Sequence, residues 1–438
     1  FRIEGLGVNG EGISHLDGKT VFIPFALTQE RISAKIFQVR KSYIRAELNE
    51  IFQPSPSRVQ PSCPNFMNCG GCQLMHLNYK EQLLFKQKKV SDAIDRIGHL
   101  KNISISDCIP SPKQLNYRNK IEIPYQVLNN KTDLGFYSPK SNVIVPMTNC
   151  PVFSDYGNQV FTKVNALLAE YLLPSHCKTE KIHGISHIII RTSHTEKKAL
   201  VIIVTSIGEM KTLKKMAEQV FNCDPGILGV IQSINPGSNT GNQSMTIKLL
   251  YGVDYIIDKV DDTVFRAGAL SFLQVNSAQW SNLIREVVKA CGEGIKERVA
   301  DVFCGIGFFT MFVFKSAEKV TGIDVSNENI KAAKFNLKKA GAQNTEFFCG
   351  FAEKHFRNIN NPDLAILNPP RAGCSKRFLE ILADKRVKKV VYVSCDPATL
   401  ARDLRILSDA GYRVEYIQPM DMFPQTAHVE CVAVMTRD

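Results

Sequence analysis

The chain has 438 residues, too many for one compact core, so two or three domains are expected. It is 44% hydrophobic and 22% charged, a globular balance, and no apolar run of about 18 residues offers a transmembrane helix. Lys and Arg number 54 against 42 Asp and Glu, a formal net charge of +12; this favours nucleic acid or another acidic surface as partner, with a bland basic surface as the plain alternative. Thirteen cysteines, odd in number and without the regular spacing of a small secreted scaffold, point to reduced thiols, a metal site or a catalytic thiol, and so to a cytoplasmic protein. The chain opens at Phe1 and not at Met, which reads as a missing N-terminus; no signal peptide follows.

Residues 1 to 53 show strand-like alternation (Ile32, Ala34, Ile36) and Gly-rich turns every few residues, the pattern of a small OB-like β-barrel. Arg31, Lys35, Arg40, Lys41 and Arg45 cluster with Phe37 and Tyr43, a mix suited to an oligonucleotide face or to a solvated basic surface. "PSPSRVQP", residues 54–61, is a linker that stops helix and strand. A middle α+β region, 62–264, opens on cysteines. It continues in a helix over "NYKEQLLFKQKKVSDAIDRI", with apolar Leu83, Leu84, Val90, Ile94 and Ile97, and then in strands such as "SHIIIRTS" and "ALVIIVTS". From 265 to 438 strands and helices alternate, which predicts a doubly wound, mostly parallel Rossmann-like sheet with its ligands outside the carboxyl ends of the strands.

"CPNFMNCGGC" places Cys63, Cys69 and Cys72 in a C-x5-C-x2-C spacing, with Gly70 and Gly71 letting the chain wrap closely; Cys150-Pro151 follows later. Thiolates select zinc or iron–sulfur clusters. Zinc sites favour two C-x2-C pairs and a Cys-Pro ligand is familiar from iron–sulfur proteins, so spacing leaves cluster, zinc or no metal open. It is not the C-x3-C-x2-C of radical enzymes.

"DVFCGIG", 301–307, is a strand running into a Gly turn, a weak signal alone. The next strand ends at Asp324, 23 residues after Asp301, where a carboxylate can accept both ribose hydroxyls of a nucleotide. Together they match S-adenosylmethionine better than NAD. In "NPPRAG", 368–373, two prolines hold a rigid turn and Asn368 sits at the strand end, or else the turn is only structural.

In "SCDPATLARD", 394–403, Cys395 ends a strand and Pro397 opens a helix. A thiol there should feel the helix dipole and have a lowered pKa. Thiolate addition to carbon 6 of a pyrimidine would make carbon 5 nucleophilic enough to take a methyl group, and a base must then remove the carbon-5 proton. Glu430, interrupting the apolar strand "HVECVAVM", is the candidate base; burial would raise its pKa, and an Arg-paired Glu at a strand mouth is the alternative. His428, two residues earlier on the same strand face, reads as structural.

These residues form a set. The chain resembles the iron–sulfur-containing RNA (uracil-5)-methyltransferases that make 5-methyluridine in 23S rRNA. The likeness runs over nearly the whole chain: an N-terminal TRAM barrel, "SPSRVQPSCPNFMNCGGCQLMHLNYKEQL", "NYRNK", "FLQVN", "DVFCGIG", "NPPRAG", "SCDPATLARD" and "FPQTAHVE". The resemblance implies a seven-stranded mostly parallel sheet, a 4Fe–4S cluster on Cys63, Cys69, Cys72 and Cys150, Cys395 as nucleophile and Glu430 as base. It implies S-adenosylmethionine contacts from Gln274, Phe303, Gly305, Asp324 and Asn368. It also implies stacking of a flipped uracil on Phe272, and an RNA path lined by Arg118 and Lys120. RNA is the implied partner, with no membrane and no obligate protein partner. The same chemistry on tRNA, or a non-catalytic RNA-binding iron–sulfur protein, are the alternatives. Three positions depart from the family pattern: Asn368 where Asp is usual, Phe308 where a polar residue is common, and Phe351 where Asp or Asn often meets the adenine. Each touches the cofactor end and leaves thiol, base and cysteines intact.

Overall fold

A computed structural model describes residues 1–129, 131–176, 183–208, 210, 212–235 and 246–437. The chain divides into two compact units: Phe1–Ser111 with Pro369–Leu379 and Tyr392–Asp438, and Pro112–Asn368 with Glu380–Val391.

In the first unit the N-terminal strands follow the order Gly5–Leu6, Gly12–Leu16, Lys19–Ile23, Tyr43–Gln53, Arg31–Val39. Arg2 bridges antiparallel to Arg31, which joins the two sheet edges as a barrel requires. Alternate residues turn inward, so Ile3, Val21, Ile23, Ile32, Ile44 and Ala46 form the barrel core. Phe37 and Phe52 stand more than half exposed, and Arg45 lies over the Tyr43 ring at 5.4 Å. Below the barrel Glu30 is buried. Burial alone would raise its carboxyl, but Arg58 (Nε donating at 2.6 Å) and the amides of Leu27 and Ser55 outweigh this and hold it below the usual value.

The helix Tyr79–Arg96 is capped by Asn78, whose side chain accepts from the Glu81 amide at 3.0 Å. Its buried face is not the expected apolar stripe. Leu84 and Ile97 are exposed, while Gln82 and Lys86 are buried with Val90, Ala93 and Ile94. The reason is a polar seam to the C-terminal chain: Lys86 pairs with Asp421 and donates to the Phe423 carbonyl at 2.9 Å, and Gln82 donates to Gln425 Oε1 at 3.0 Å. In this unit the end of the strand Lys389–Ser394 neighbours Glu430–Thr436, which pairs antiparallel with Arg413–Met420.

The second unit holds a mixed sheet in the order Thr246–Gly252, Ile227–Ile234, Ala199–Thr205, Ile185–Thr192, Lys120–Leu128, Lys131–Tyr137, Ile144–Pro146. The near-continuous apolar burial of Ala199–Thr205 fits a strand covered on both faces. Its other sheet runs Thr345–Cys349, Ala317–Asp324, Lys296–Val302, Leu364–Leu367, Lys389–Ser394, and the first four strands are parallel. Among the described residues no helix is long and apolar enough to cross a membrane.

Candidate active site

In the second unit the strand Lys296–Val302 ends in the turn that carries Phe303, Gly305 and Gly307 at φ 63°, 55° and 76°. The left-handed geometry suits glycine; at Phe303 it costs on the order of 1–3 kcal/mol, a strain of the kind that gathers at ligand sites. A side chain at Gly307 would meet Leu337 Cδ2 at 2.9 Å. Asp324 closes the neighbouring strand. Its carboxylate accepts from the amides of Gly305 at 3.0 Å and Ser326 at 2.8 Å and from Asn329 Nδ2 at 3.1 Å, so turn and acidic strand end are one unit. Beneath them Asp301 is fully buried and pushed up to about 7 by that burial, partly offset by Thr310, whose hydroxyl donates at 2.6 Å; its Oδ1 has no partner. Asn368 ends the adjacent strand, its amide donating to the Val302 carbonyl at 3.2 Å.

The segment holding Phe272 reaches the same turn: the Phe272 carbonyl lies 4.0 Å from where a Gly305 Cβ would stand. Phe272 itself is 60% exposed, as a stacking platform must be. Gln274 is buried, and its carbonyl accepts from Trp280 Nε1 at 2.9 Å and Asn119 Nδ2 at 3.1 Å. Of "NYRNK", therefore, Asn119 braces this segment. Lys120 is paired with Glu122 at 2.8 Å and Arg118 bridges the chain at Phe153 and Asn276. Two of the departures gain a physical account. Phe308 is a core residue, packed among the rings of Phe265, Trp280, Phe309 and Phe312 at 5.7–6.1 Å. Phe351 is 61% exposed, one residue past Gly350, whose amide donates to the Asp324 carbonyl at 2.9 Å; it offers an apolar face where a polar side chain would offer a hydrogen bond.

In the first unit Cys395 is half-buried at the end of Lys389–Ser394. Its pKa is not lowered. Burial, then the charge of Glu430, push it up to about 11, with Arg371 opposing through its charge and a hydrogen bond. Asp396 adds a smaller upward push. Asp396 caps the helix Pro397–Asp409 and its carboxylate takes the Ala398 and Thr399 amides at 2.9 and 3.0 Å, placing a negative charge beside the thiol. Glu430 is 1% exposed, its Oε2 has no hydrogen-bond partner, and burial raises it to about 8 against the pull of Arg371. It begins its strand, opposite Met420, instead of interrupting it, and His428 lies before the strand, edge-on to Phe423 at 5.9 Å.

Arg371 thus acts by its charge on both Cys395 and Glu430, and sequence reasoning passed over it inside "NPPRAG". Its loop is stapled to the helix: the Cys374 amide, Tyr392 hydroxyl and Arg402 Nε all donate to Asp403 at 2.6–2.8 Å, and Thr399 Oγ1 donates to the Arg371 carbonyl at 3.0 Å. Gly373 sits at φ 76° where a Cβ would come within 2.6 Å of Arg402 and Asp403.

Cys63, Cys69 and Cys72 lie in the first unit and Cys150 in the second. All four are half-buried and outside disulfides. The Gly71 amide donates to Cys69 Sγ at 3.4 Å, a contact that supports a thiolate, and the Asn158 side chain brackets the Cys150 backbone at 2.9 and 3.0 Å. The thiol donors are of the right chemistry, but among the described residues no three His, Cys, Asp or Glu side chains gather as a metal site.

Comparison with known proteins gives first the class. Uncharacterized RNA methyltransferases of Halalkalibacterium halodurans and Clostridium acetobutylicum are 34% identical over 437 residues and 35% over 444; each match covers 99% of this chain and 95–96% of the relative. The description tRNA (Uracil-5-)-methyltransferase matches residues 240–438, and the TRAM domain matches residues 2–48. The chain belongs to the RNA (uracil-5-)-methyltransferase family and is an S-adenosylmethionine-dependent enzyme. A solved structure, the Pyrococcus abyssi tRNA (uracil-54, C5)-methyltransferase in complex with S-adenosyl-L-homocysteine, is similar over 99% of this chain and 98% of its own, at 28% identity and a TM-score of 0.77.

Proposed function

We propose that this enzyme converts a uridine of 23S rRNA to 5-methyluridine through a covalent adduct on Cys395. The observation that carries the mechanism is the electrostatic trio of Cys395, Arg371 and buried Glu430. The thiolate, its charge offset by Arg371, bonds to carbon 6, and the carbon 5–carbon 6 double bond becomes an enolate. Carbon 5 takes the methyl group as its bond to sulfur in S-adenosylmethionine breaks, and S-adenosylhomocysteine leaves. Glu430 then accepts the carbon-5 proton while the carbon 6–sulfur bond breaks and the double bond returns. In this reading Gln274, Phe303, Gly305, Asp324 and Asn368 hold the cofactor, Phe272 stacks on the extruded base, and Arg118 and Lys120 serve the RNA. Residues 1–53 act as the RNA-binding barrel, 62–264 as the cysteine-bearing domain and 265–438 as the methyltransferase domain. The RNA substrate and the need for a reduced thiol make the cytoplasm the proposed place of action.

The choice of 23S rRNA rests on the four cysteines. The tRNA reading is favoured by the Pyrococcus abyssi enzyme, whose substrate is tRNA. Labelled S-adenosylmethionine incubated with size-fractionated RNA from cells lacking this protein decides between them by nucleoside mass spectrometry. Label in 5-methyluridine of the large rRNA is the expected result; label in the tRNA fraction alone keeps the chemistry and overturns the substrate.

We also propose a 4Fe–4S cluster on Cys63, Cys69, Cys72 and Cys150, supported by the donor chemistry and the Gly71 contact. Anaerobically purified protein should contain iron and acid-labile sulfide in equal amounts; colourless protein with zinc instead would overturn the cluster and keep a metal.

A further inference from the structure

Glu430 must aim at one proton, yet its Oε2 has no hydrogen-bond partner to aim it. Its direction is therefore set by the chain that leads into it. That chain, Phe423–Val429, is not in a strand; Thr426 ties it internally to Phe423 and His428, and its peptides at Gln425 and Ala427 are held from elsewhere in the first unit. Lys89 Nζ donates to the Ala427 carbonyl at 2.7 Å, and the Ala427 amide donates to Gln73 Oε1 at 3.3 Å, so the peptides around Ala427 are gripped from both sides. The backbone amides of Gln73 and Leu74 both donate to the Gln425 carbonyl, at 3.1 and 2.9 Å. The other end of the Gln73 side chain, Nε2, donates at 2.9 Å to the carbonyl of Gly70, inside the cysteine loop.

We propose that Gln73 is a positioning residue for Glu430, linking the cysteine loop to the chain that aims the base, so that its loss slows release of the carbon-5 proton and spares the earlier steps. Gln73 touches neither substrate nor cofactor. The inference rests on the reading of Glu430 as base. It goes beyond that reading by giving the Cys63–Cys72 loop a mechanical part in the last chemical step.

The test uses the full chain and the RNA fraction it methylates, prepared with and without 5-fluorouridine. Fluorine at carbon 5 cannot leave as a proton does, so the fluorinated RNA traps the enzyme after addition and methyl transfer, whatever the base is doing. Gln73→Leu, which loses both arms, should trap on fluorinated RNA at the wild-type rate. On ordinary RNA it should accumulate a retarded protein–RNA band in denaturing gels, and its turnover should fall about 10- to 100-fold, the effect of a misplaced group. Gln73→Glu keeps an acceptor for the Ala427 amide but loses the donor to the Gly70 carbonyl, so it should recover only part of the turnover; full recovery would show that the Gly70 arm is idle and that the cysteine loop has no mechanical part. Three other results overturn the proposal: Gln73→Leu without the band while Glu430→Gln shows it; Gln73→Leu equally slow on fluorinated RNA, which would mean general damage; or Gln73→Glu no better than Gln73→Leu. Absence of the band in Glu430→Gln itself removes the base reading, and with it the ground of this inference.

Discussion

Replacing Cys395 by alanine should reduce methyl transfer to background, a fall on the order of 10⁴-fold or more as for other deleted nucleophiles, while RNA binding stays close to wild type. Carbon 5 of a neutral uracil has too little electron density to attack the methyl of S-adenosylmethionine, and sulfur addition at carbon 6 supplies the enolate that can. The side chain is half-buried at a strand end, and its loss leaves the Asp396 cap and the Asp403 staples in place, so the fold should tolerate the change. Labelled-methyl transfer and filter binding measure the two quantities separately; wild-type turnover in Cys395→Ala would remove the covalent mechanism. The thiol's own acidity adds a second signature. With its pKa raised to about 11, the thiolate fraction grows through the whole alkaline range, so trapping on 5-fluorouridine RNA should keep rising with pH above neutrality instead of levelling off. Levelling at neutral pH would mean that bound RNA, or the helix dipole after all, lowers the thiol.

That acidity is where reading the sequence alone goes furthest astray. Strand-then-Pro made Cys395 visible, and the rule that a helix N-terminus favours a thiolate was sound; but burial of the thiol and the charge of Glu430, brought beside it from another strand, push the other way, and Asp396 adds a smaller push. The candidates that the sequence offers stand at strand ends with a distinctive neighbour: Gly305 after an apolar run, Asp324 closing the next one, Glu430 as the one charged residue of its strand. Their positions follow from the βαβ rhythm, which periodicity reports well. The missed residues act through partners far along the chain. Gln82 meets Gln425 across 343 residues and Lys86 meets Asp421 across 335. On a helix such a Gln and Lys look like ordinary solvated positions, and nothing in the spacing says that they are buried to receive another segment. Phe308 shows the converse: beside a Gly turn it stands out as a departure from the family pattern, and only the rings around it reveal a core position. Arg371 was legible in principle, being the charged residue of a rigid two-proline turn, but its target was not.

Glu430→Gln should leave addition and methyl transfer running and stop the reaction at the methylated adduct, slowing proton release by roughly 10²–10⁴-fold, the range for a removed general base. Glutamine fills the same buried space and cannot accept the proton, so the protein stays attached to its RNA and appears as a retarded band in denaturing gels. If no band appears and turnover is unchanged, the base is some other group. The wild-type enzyme offers an independent check through pH. In the proposed last step the working form of Glu430 is the carboxylate, and burial lifts its pKa to about 8. Below that value the folded enzyme holds the proton and the last step is starved of base; as pH rises to about 8 the carboxylate fraction grows and adduct resolution should accelerate, then flatten. Glu430→Gln should show no such rise. The raised pKa also helps the step before. While Glu430 is protonated it carries no charge, and the repulsion that contributes to the high pKa of Cys395 is absent. The two groups therefore work best in opposite states, thiolate beside a neutral acid at the start and neutral thioether beside a carboxylate at the end, and Arg371, which favours the charged form of both, keeps each within reach of its state. A wild-type enzyme whose adduct resolves at the same rate on both sides of pH 8 would show that this exchange of charge plays no part.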